Sequence, residues 1–214
     1  MIESATGLII RTRPLTETSL IVHWLTPEFG RLATVAKGAR RPKSPFAGKL
    51  DLFYAAKLSF QRSRHSDLHN LREVVLHELH PELRRDLSYV QQAAYATSLI
   101  ELTTETEFPL PEIHALLCAF LPHLPAQPPL PHSVFAFELK LLQELGLEPD
   151  LEAGPLPPDL KQLLRVLLTS DWPLLARLKL SPPQINGLSA YLRGFLAEHL
   201  GKVPAGRSAA LRLD

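Results

Sequence analysis

The spacing of apolar residues changes once along this chain, near residue 80, and that change constrains the fold more than any other feature. Before it, apolar residues fall in short alternating runs closed by turn residues; after it, they recur at three- and four-residue steps. A period of two places side chains on one face of a strand, and a period near 3.6 places them along one face of a helix. A chain that switches from the first to the second carries a β part followed by an α part.

Five strands are predicted. Gly7 to Arg13 stops at Pro14, and Thr18 to Thr26 carries Leu20, Ile21, Val22, Trp24 and Leu25 before Pro27. Pro27-Glu28-Phe29-Gly30 reads as a hairpin turn, with Gly30 suited to positive φ. Arg31 to Lys37 is the third strand. Leu50 to Gln61, with Leu52, Tyr54, Leu58 and Phe60 at even spacing, is the fourth, and Leu71 to Leu79 the fifth. Five short strands without comparable helices between them imply a small barrel or sandwich. An OB-like barrel is the commonest five-stranded solution, but strand count alone does not select it.

From Pro81 the pattern is helical. Leu83, Leu87, Val90, Ala94, Ser98 and Leu102 predict one amphipathic face, and Ile113, Leu116, Leu117, Phe120 and Leu121 a second. Four prolines between Leu124 and Pro131 make a connection. Val134 to Leu145 is apolar nearly all round, as at the centre of a bundle, and Gly146 and Pro149 close it. Glu148 to Pro158 is a proline-rich break, followed by short helices over Asp159 to Thr169 and Asp171 to Leu178. Ser181-Pro182-Pro183-Gln184 is a capping box opening a helix with Ile185, Leu188, Leu192, Phe195 and Leu196 on its apolar face and Gly201 at its end. The expected organisation is α+β: a β-domain over residues 1–80 and an all-helical domain over 81–214.

The single cysteine, Cys118, excludes an intramolecular disulfide and a multi-cysteine metal site, which fits a reducing compartment. No apolar stretch approaches the ~18 residues of a membrane span, and the start Met1-Ile2-Glu3-Ser4 has no basic region followed by an apolar core. A cytoplasmic protein with no membrane contact is expected.

Charge is divided along the chain. Residues 1–80 hold 12 Lys and Arg against 7 Asp and Glu, whereas residues 81–214 hold 11 against 15. A basic half points to a polyanionic partner. Five cations, Lys37, Arg40, Arg41, Lys43 and Lys49, fall within thirteen residues between two strands, with no acid among them. Glycines and prolines keep this segment out of regular structure, so it can follow a phosphate backbone; the alternative is a merely solvated loop. Arg11, Arg13, Arg31, Lys57, Arg62 and Arg64 add charge to the same domain. The nearby aromatics Phe29, Phe46, Phe53 and Tyr54 suit stacking on bases, but core packing is the simpler assignment.

His65 with His69, and His77 with His80, have spacings seen in zinc sites, yet no thiolate accompanies them, and surface histidines are the expectation. Catalytic signatures are missing: there is no glycine-rich nucleotide fingerprint, no phosphate-binding loop and no nucleophile elbow. Ser189 and Cys118 sit in helical patterns and read as packing residues. The chain is not expected to be an enzyme.

Several segments resemble bacterial RecO proteins. Gly7-Leu8-Ile9-Ile10-Arg11-Thr12-Arg13-Pro14 with Leu20-Ile21-Val22, then Gly30-Arg31-Leu32 running into Ala36 to Ser44, is similar to the start of that family. Asp67 to Leu71, Phe137 to Leu142 with Leu145 to Asp150, and Leu192 to Leu196 with His199 to Gly201 follow in the family's order. The resemblance implies an N-terminal five-stranded OB-fold barrel followed by an all-helical domain. It implies a non-enzymatic mediator of DNA repair and recombination that binds single- and double-stranded DNA and anneals complementary strands. Such a mediator assists RecA loading onto strands coated by single-strand-binding protein. RecR and the acidic C-terminal tail of single-strand-binding protein are the implied partners, and a cytoplasmic, nucleoid-associated location follows. DNA binding carries over to Lys37, Arg40, Arg41 and Lys43, and secondarily to Arg11, Arg13 and Arg31. Cationic residues of the helical part, such as Lys140, Arg165, Arg177 and Arg193, are candidates for the tail only because that ligand is acidic. Many relatives hold a four-cysteine zinc module where this chain has the short, cysteine-free stretch Leu151 to Leu160, so neither zinc nor any cofactor is expected. The competing functions are a protein-interaction scaffold and an RNA-binding OB module, the latter distinguished by use of the 2′-hydroxyl.

Overall fold

The β-branched and aromatic residues of the first 80 positions form five strands: β1 (Ile2–Pro14), β2 (Leu20–Thr26), β3 (Gly30–Ala36), β4 (Ala55–Gln61) and β5 (Leu68–Glu78). The computed structural model describes residues 2–151 and 156–212. The strands close in the order β1-β2-β3-β5-β4, with β3 and β5 parallel and every other pair antiparallel. That closed order is an OB-type barrel, and the choice between barrel and sandwich left open by strand count is thereby made. Closure removes the unpaired edges that an open sheet would expose.

Val22, Trp24, Leu32, Leu58, Phe60, Leu71 and Val74 alternate inward and fill the barrel. Trp24 is fully buried, and its indole N–H donates to Thr34 Oγ1 at 2.9 Å, so its one polar group is satisfied inside the core. Phe46 and Phe53 are buried too, and Tyr54 packs against the same core. These aromatics are packing residues before they are anything else.

Strand limits differ from the sequence expectation at both ends of the barrel seam. β1 begins at Ile2 rather than Gly7, because residues 2–8 pair residue by residue with Gln61 to Ala55 of β4. β4 begins at Ala55 rather than Leu50. Phe53 has φ +66, outside the strand region, and its N–H donates to the Ile9 carbonyl while Ile9 N–H donates to that of Tyr54. Residues 50–54 are therefore a turn, which the even spacing of Leu52 and Tyr54 conceals.

The chain forms two compact units, Met1–His80 with Thr104–Ala115, and Pro81–Thr103 with Leu116–Asp214. Residues 104–110 are a strap on the β2–β3 hairpin. Glu107 N–H donates to the Arg31 carbonyl at 2.8 Å and Leu110 N–H to that of Pro27 at 3.0 Å. Gly30 takes the positive φ anticipated for it, +58, and a Cβ there would lie 1.7 Å from the Phe108 carbonyl oxygen. The position thus needs glycine for both conformation and space.

The second unit is helical: α1 (Leu87–Thr103), α2 (Pro111–His123), α3 (Pro131–Glu144), α4 (Pro158–Thr169), α5 (Trp172–Leu175), α6 (Pro182–Leu200) and α7 (Arg207–Leu211), with the start of α2 belonging to the first unit. α1 overturns the expected face. Leu87 is 70% exposed and Val90, Ala94, Ser98 and Leu102 are half-buried, whereas Tyr89, Gln92, Ala93, Tyr95, Ala96, Leu99 and Ile100 are buried. Polar tips hide this face from a hydropathy reading. Tyr89 O–H donates to the Gln127 carbonyl, Gln92 to those of Leu130 and Ala210, and Tyr95 to Glu138.

α3 is buried from His132 to Leu139, as expected of a central helix. It ends in a Schellman arrangement, with Gly146 at φ +68, Gly146 N–H on the Gln143 carbonyl and Leu147 N–H on that of Leu142. The capping box at α6 is present, Ser181 N–H donating to Gln184 Oε1 at 2.9 Å, and Leu188, Leu192 and Leu196 are buried. α7 was not legible in the sequence; it docks through buried Ala210 and Leu211, and Arg207 reaches Glu138. Of the proline-rich break and the cysteine-free stretch, residues 152–155 lie outside the described residues. No helix among the described residues is long and apolar enough to cross a membrane.

Candidate nucleic-acid interface

The segment after β3 is a run of turns held from two sides. Arg40 N–H donates to the Thr18 carbonyl at 2.9 Å, and Gly38 N–H to Ser19 Oγ, so the β1–β2 turn buttresses it. Successive turns close at Ser44, Ala47 and Lys49, while Phe46 and Ala39 anchor the loop in the barrel core. With Phe46 buried and Ala39 half-buried, the loop turns Lys37, Arg40, Arg41 and Lys43 to solvent; Lys49 is half-buried. Arg40 reaches back to the Thr16 carbonyl, and the side chain of Arg41 lies along Gly38. Among the described residues, Lys37, Arg41 and Lys43 form no ion pair. Anchored backbone and unneutralised cations together give this end of the barrel a positive field suited to an anion.

Strand register extends this surface. Pro14 pairs with Leu20 and Leu20 with Ala36, so the β1–β2 turn and the basic loop leave the same end of the barrel. Arg13 and Arg11, both exposed, run down the outer face of β1 from that end, opposite Ile21 and His23. Arg31 sits at the far end of β3, six residues from Lys37 and so about 20 Å away at ~3.3 Å per residue. Its guanidinium is committed to the strap, with Nε–H on Thr104 Oγ1 at 2.9 Å and a further bond to the Thr104 carbonyl. The structure therefore groups Arg11 and Arg13 with the loop and gives Arg31 a role in holding the strap.

The local field shows in His23. Burial, then the charges of Arg13, Arg11 and Arg31, push it down to about 4. A depressed pKa means that the unfolded chain binds the proton and the folded chain does not, between about 6.5 and about 4. Stability is then full above pH 6.5 and falls as pH drops through that window. Buried His123 of the helical unit is also near 4 and acts in the same direction. Urea unfolding at stepped pH should show this decline, and His23→Gln should make it smaller; an unchanged decline would remove His23 from the cause.

Other sequence candidates are distributed differently. His69, expected at the surface, is 2% exposed; it stacks on Phe60 and its Nε2 lies 2.9 Å from Glu107, out of line for a hydrogen bond. Arg62 bonds Glu3 and Glu107 and lies over the Phe29 ring, joining β1 to the strap. Among the described residues no group of three or more His, Cys, Asp and Glu is placed to hold a metal ion. Cys118 is half-buried, and burial raises its thiol pKa, which disfavours the thiolate. Of the helical cations, Lys140 donates to the Leu168 carbonyl at 2.7 Å and lies over Trp172, tying α3 to α4. Arg165, Arg177 and Arg193 are exposed on or beside three other elements, and Arg193 lines a cleft between α6 and the segment entering α7.

Comparison with known proteins agrees with this architecture. Residues 1–80 match the family model described as recombination protein O N terminal, and residues 84–154 match recombination protein O C terminal. A protein of Anaeromyxobacter sp. (strain K) named DNA repair protein RecO is 34% identical over 148 residues, 69% of this chain and 58% of its own. Proteins of the same name from Pelobacter propionicus and Symbiobacterium thermophilum are 30% and 36% identical, over 71% and 69% of this chain and 61% and 58% of theirs. The matched region thus spans about three fifths of the length of these relatives. With both family models matched in order on a closed barrel followed by helices, this chain belongs to the RecO family of DNA repair proteins.

Proposed function

We propose that this chain is a non-enzymatic mediator of DNA repair that binds single- and double-stranded DNA, anneals complementary strands and assists RecA loading onto strands coated by single-strand-binding protein. The observation that carries the reading is the loop of residues 37–49, which presents exposed cations on an anchored backbone with Arg11 and Arg13 beside it. Annealing needs no catalytic group. A surface that lowers repulsion between two phosphate backbones leaves base pairing to supply the driving force, and release of condensed counterions supplies the affinity. RecR and the acidic tail of single-strand-binding protein are the partners in this reading, with Arg165, Arg177 and Arg193 as exposed candidate cations for the tail.

Anisotropy of labelled single-stranded DNA at several salt concentrations, run beside an annealing assay, is the direct test. Saturable binding that weakens with salt, together with faster annealing, is expected. Absence of binding at low salt would reject the mediator and favour a protein-interaction scaffold, while a strong preference for RNA over the same DNA sequence would favour an RNA-binding module.

A further inference from the structure

Beside the basic loop the barrel carries a cleft of about 190 Å³, walled by Leu20, Ala39, Phe46, Ala47, Leu50 and Tyr54. Five of these residues, Leu20, Ala39, Phe46, Leu50 and Tyr54, also belong to or pack on the barrel core, so the cleft is backed by fixed side chains. Its outer wall is the cationic loop itself: Ala39 immediately precedes Arg40 and Arg41, and Ala47 lies two residues before Lys49. Aliphatic and aromatic side chains mixed with polar surface, next in the chain to a run of cations, suit a flat ring attached to a phosphate chain. The Asp51 carboxylate, which accepts from Leu52 N–H at 2.8 Å, lines the same cleft and disfavours an anion inside it. Phosphates are thus placed outside on the cations and the ring inside.

We propose that this cleft takes one unstacked nucleobase of a single-stranded nucleic acid whose phosphates run along Lys37, Arg40, Arg41 and Lys43. The inference rests on the phosphate-binding reading of the loop and goes beyond it by making the site discriminate strands. Bases of a duplex are paired and stacked, and cannot enter without being extruded at a cost of a few kcal/mol. A single strand offers its bases freely, and each one held against an aromatic wall adds affinity without regard to sequence. Duplex binding then uses the cations alone, whereas single-strand binding uses cations and cleft.

The test compares a thymidine homopolymer with the same sugar–phosphate chain lacking every base. The wild-type chain should bind the base-bearing strand about five- to a hundredfold tighter, the range expected for one stacked base. Ala47→Leu narrows the cleft from an exposed position, without touching a cation. It should bring both strands to the lower affinity while leaving duplex binding and the salt slope unchanged. Equal wild-type affinity for the two strands, or an Ala47→Leu chain that keeps the preference, would overturn the cleft assignment while the phosphate reading stands. Failure to bind either strand would overturn both.

Discussion

Replacing Arg40, Arg41 and Lys43 together by alanine should reduce the salt dependence of single-strand binding by about two units of logarithmic slope. Each phosphate contact on a single strand contributes about −0.7 to that slope, and all three side chains are exposed at one end of the barrel. Affinity at low salt should fall on the order of tenfold or more, by a similar factor for every sequence, because contacts to phosphates position a strand without reading it. The fold should tolerate the change. Among the described residues, the three side chains make one tertiary bond, the exposed one from Arg40 to the Thr16 carbonyl, and the loop is anchored through its backbone, Ala39 and Phe46. Arg31→Ala makes the contrast: it should leave the slope nearly unchanged and instead loosen the strap held at Thr104. A triple variant with the wild-type slope would place the phosphate path elsewhere.

Glu138→Ala should strongly destabilise the helical unit, by about 3–5 kcal/mol. Glu138 is fully buried on α3, and its carboxylate accepts from Arg207 Nε and Nη2 at 2.6 and 2.9 Å and from Tyr95 O–H at 2.6 Å. Removing it strands a buried guanidinium and an unpaired phenol, and α7 loses the tie that Arg207 makes to α3. Burial, then the neighbouring Glu138 carboxylate, hold the Tyr95 hydroxyl protonated far above its ordinary range. The double variant Glu138→Leu/Arg207→Met should recover most of the loss, since an apolar pair of similar volume leaves no charge to desolvate. Urea unfolding followed by far-UV circular dichroism distinguishes the two: the single variant should shift the midpoint by more than about 1 M, the double by much less. A single variant as stable as the wild type would show that the bonds Arg207 already makes to Ser189 suffice to hold it.

Much of this fold and of the basic loop was legible from local rules. Periodicity assigned the class of each half; Gly30 marked a positive φ, Gly146 the end of a helix, and Ser181 to Gln184 the start of α6. Each of these is decided by residues within a few positions of one another, so neighbours in the chain suffice. The same holds for most of the loop, where four of five cations, with no acid among them, stay exposed and Lys49 is half-buried.

What the tertiary structure decided depends on partners far away in sequence. The face that α1 buries is set by acceptors on Gln127, Leu130, Glu138 and Ala210, which make tyrosine and glutamine interior residues. β1 extends to Ile2 only because β4 pairs with it, and His69 leaves the surface because Phe60 and Glu107 enclose it. Arg31 separates from the other cations because residues 104–110 return to the barrel and claim its guanidinium. The cleft beside Tyr54 is likewise absent from any one segment, being walled by residues from Leu20 to Tyr54 that only barrel closure brings together. The sequence by itself determined which elements form and where charge gathers, because those follow from local propensity and desolvation. Tertiary structure decided which polar groups are buried and which cations remain open to a ligand, because a buried donor or charge needs a partner that only the folded chain supplies.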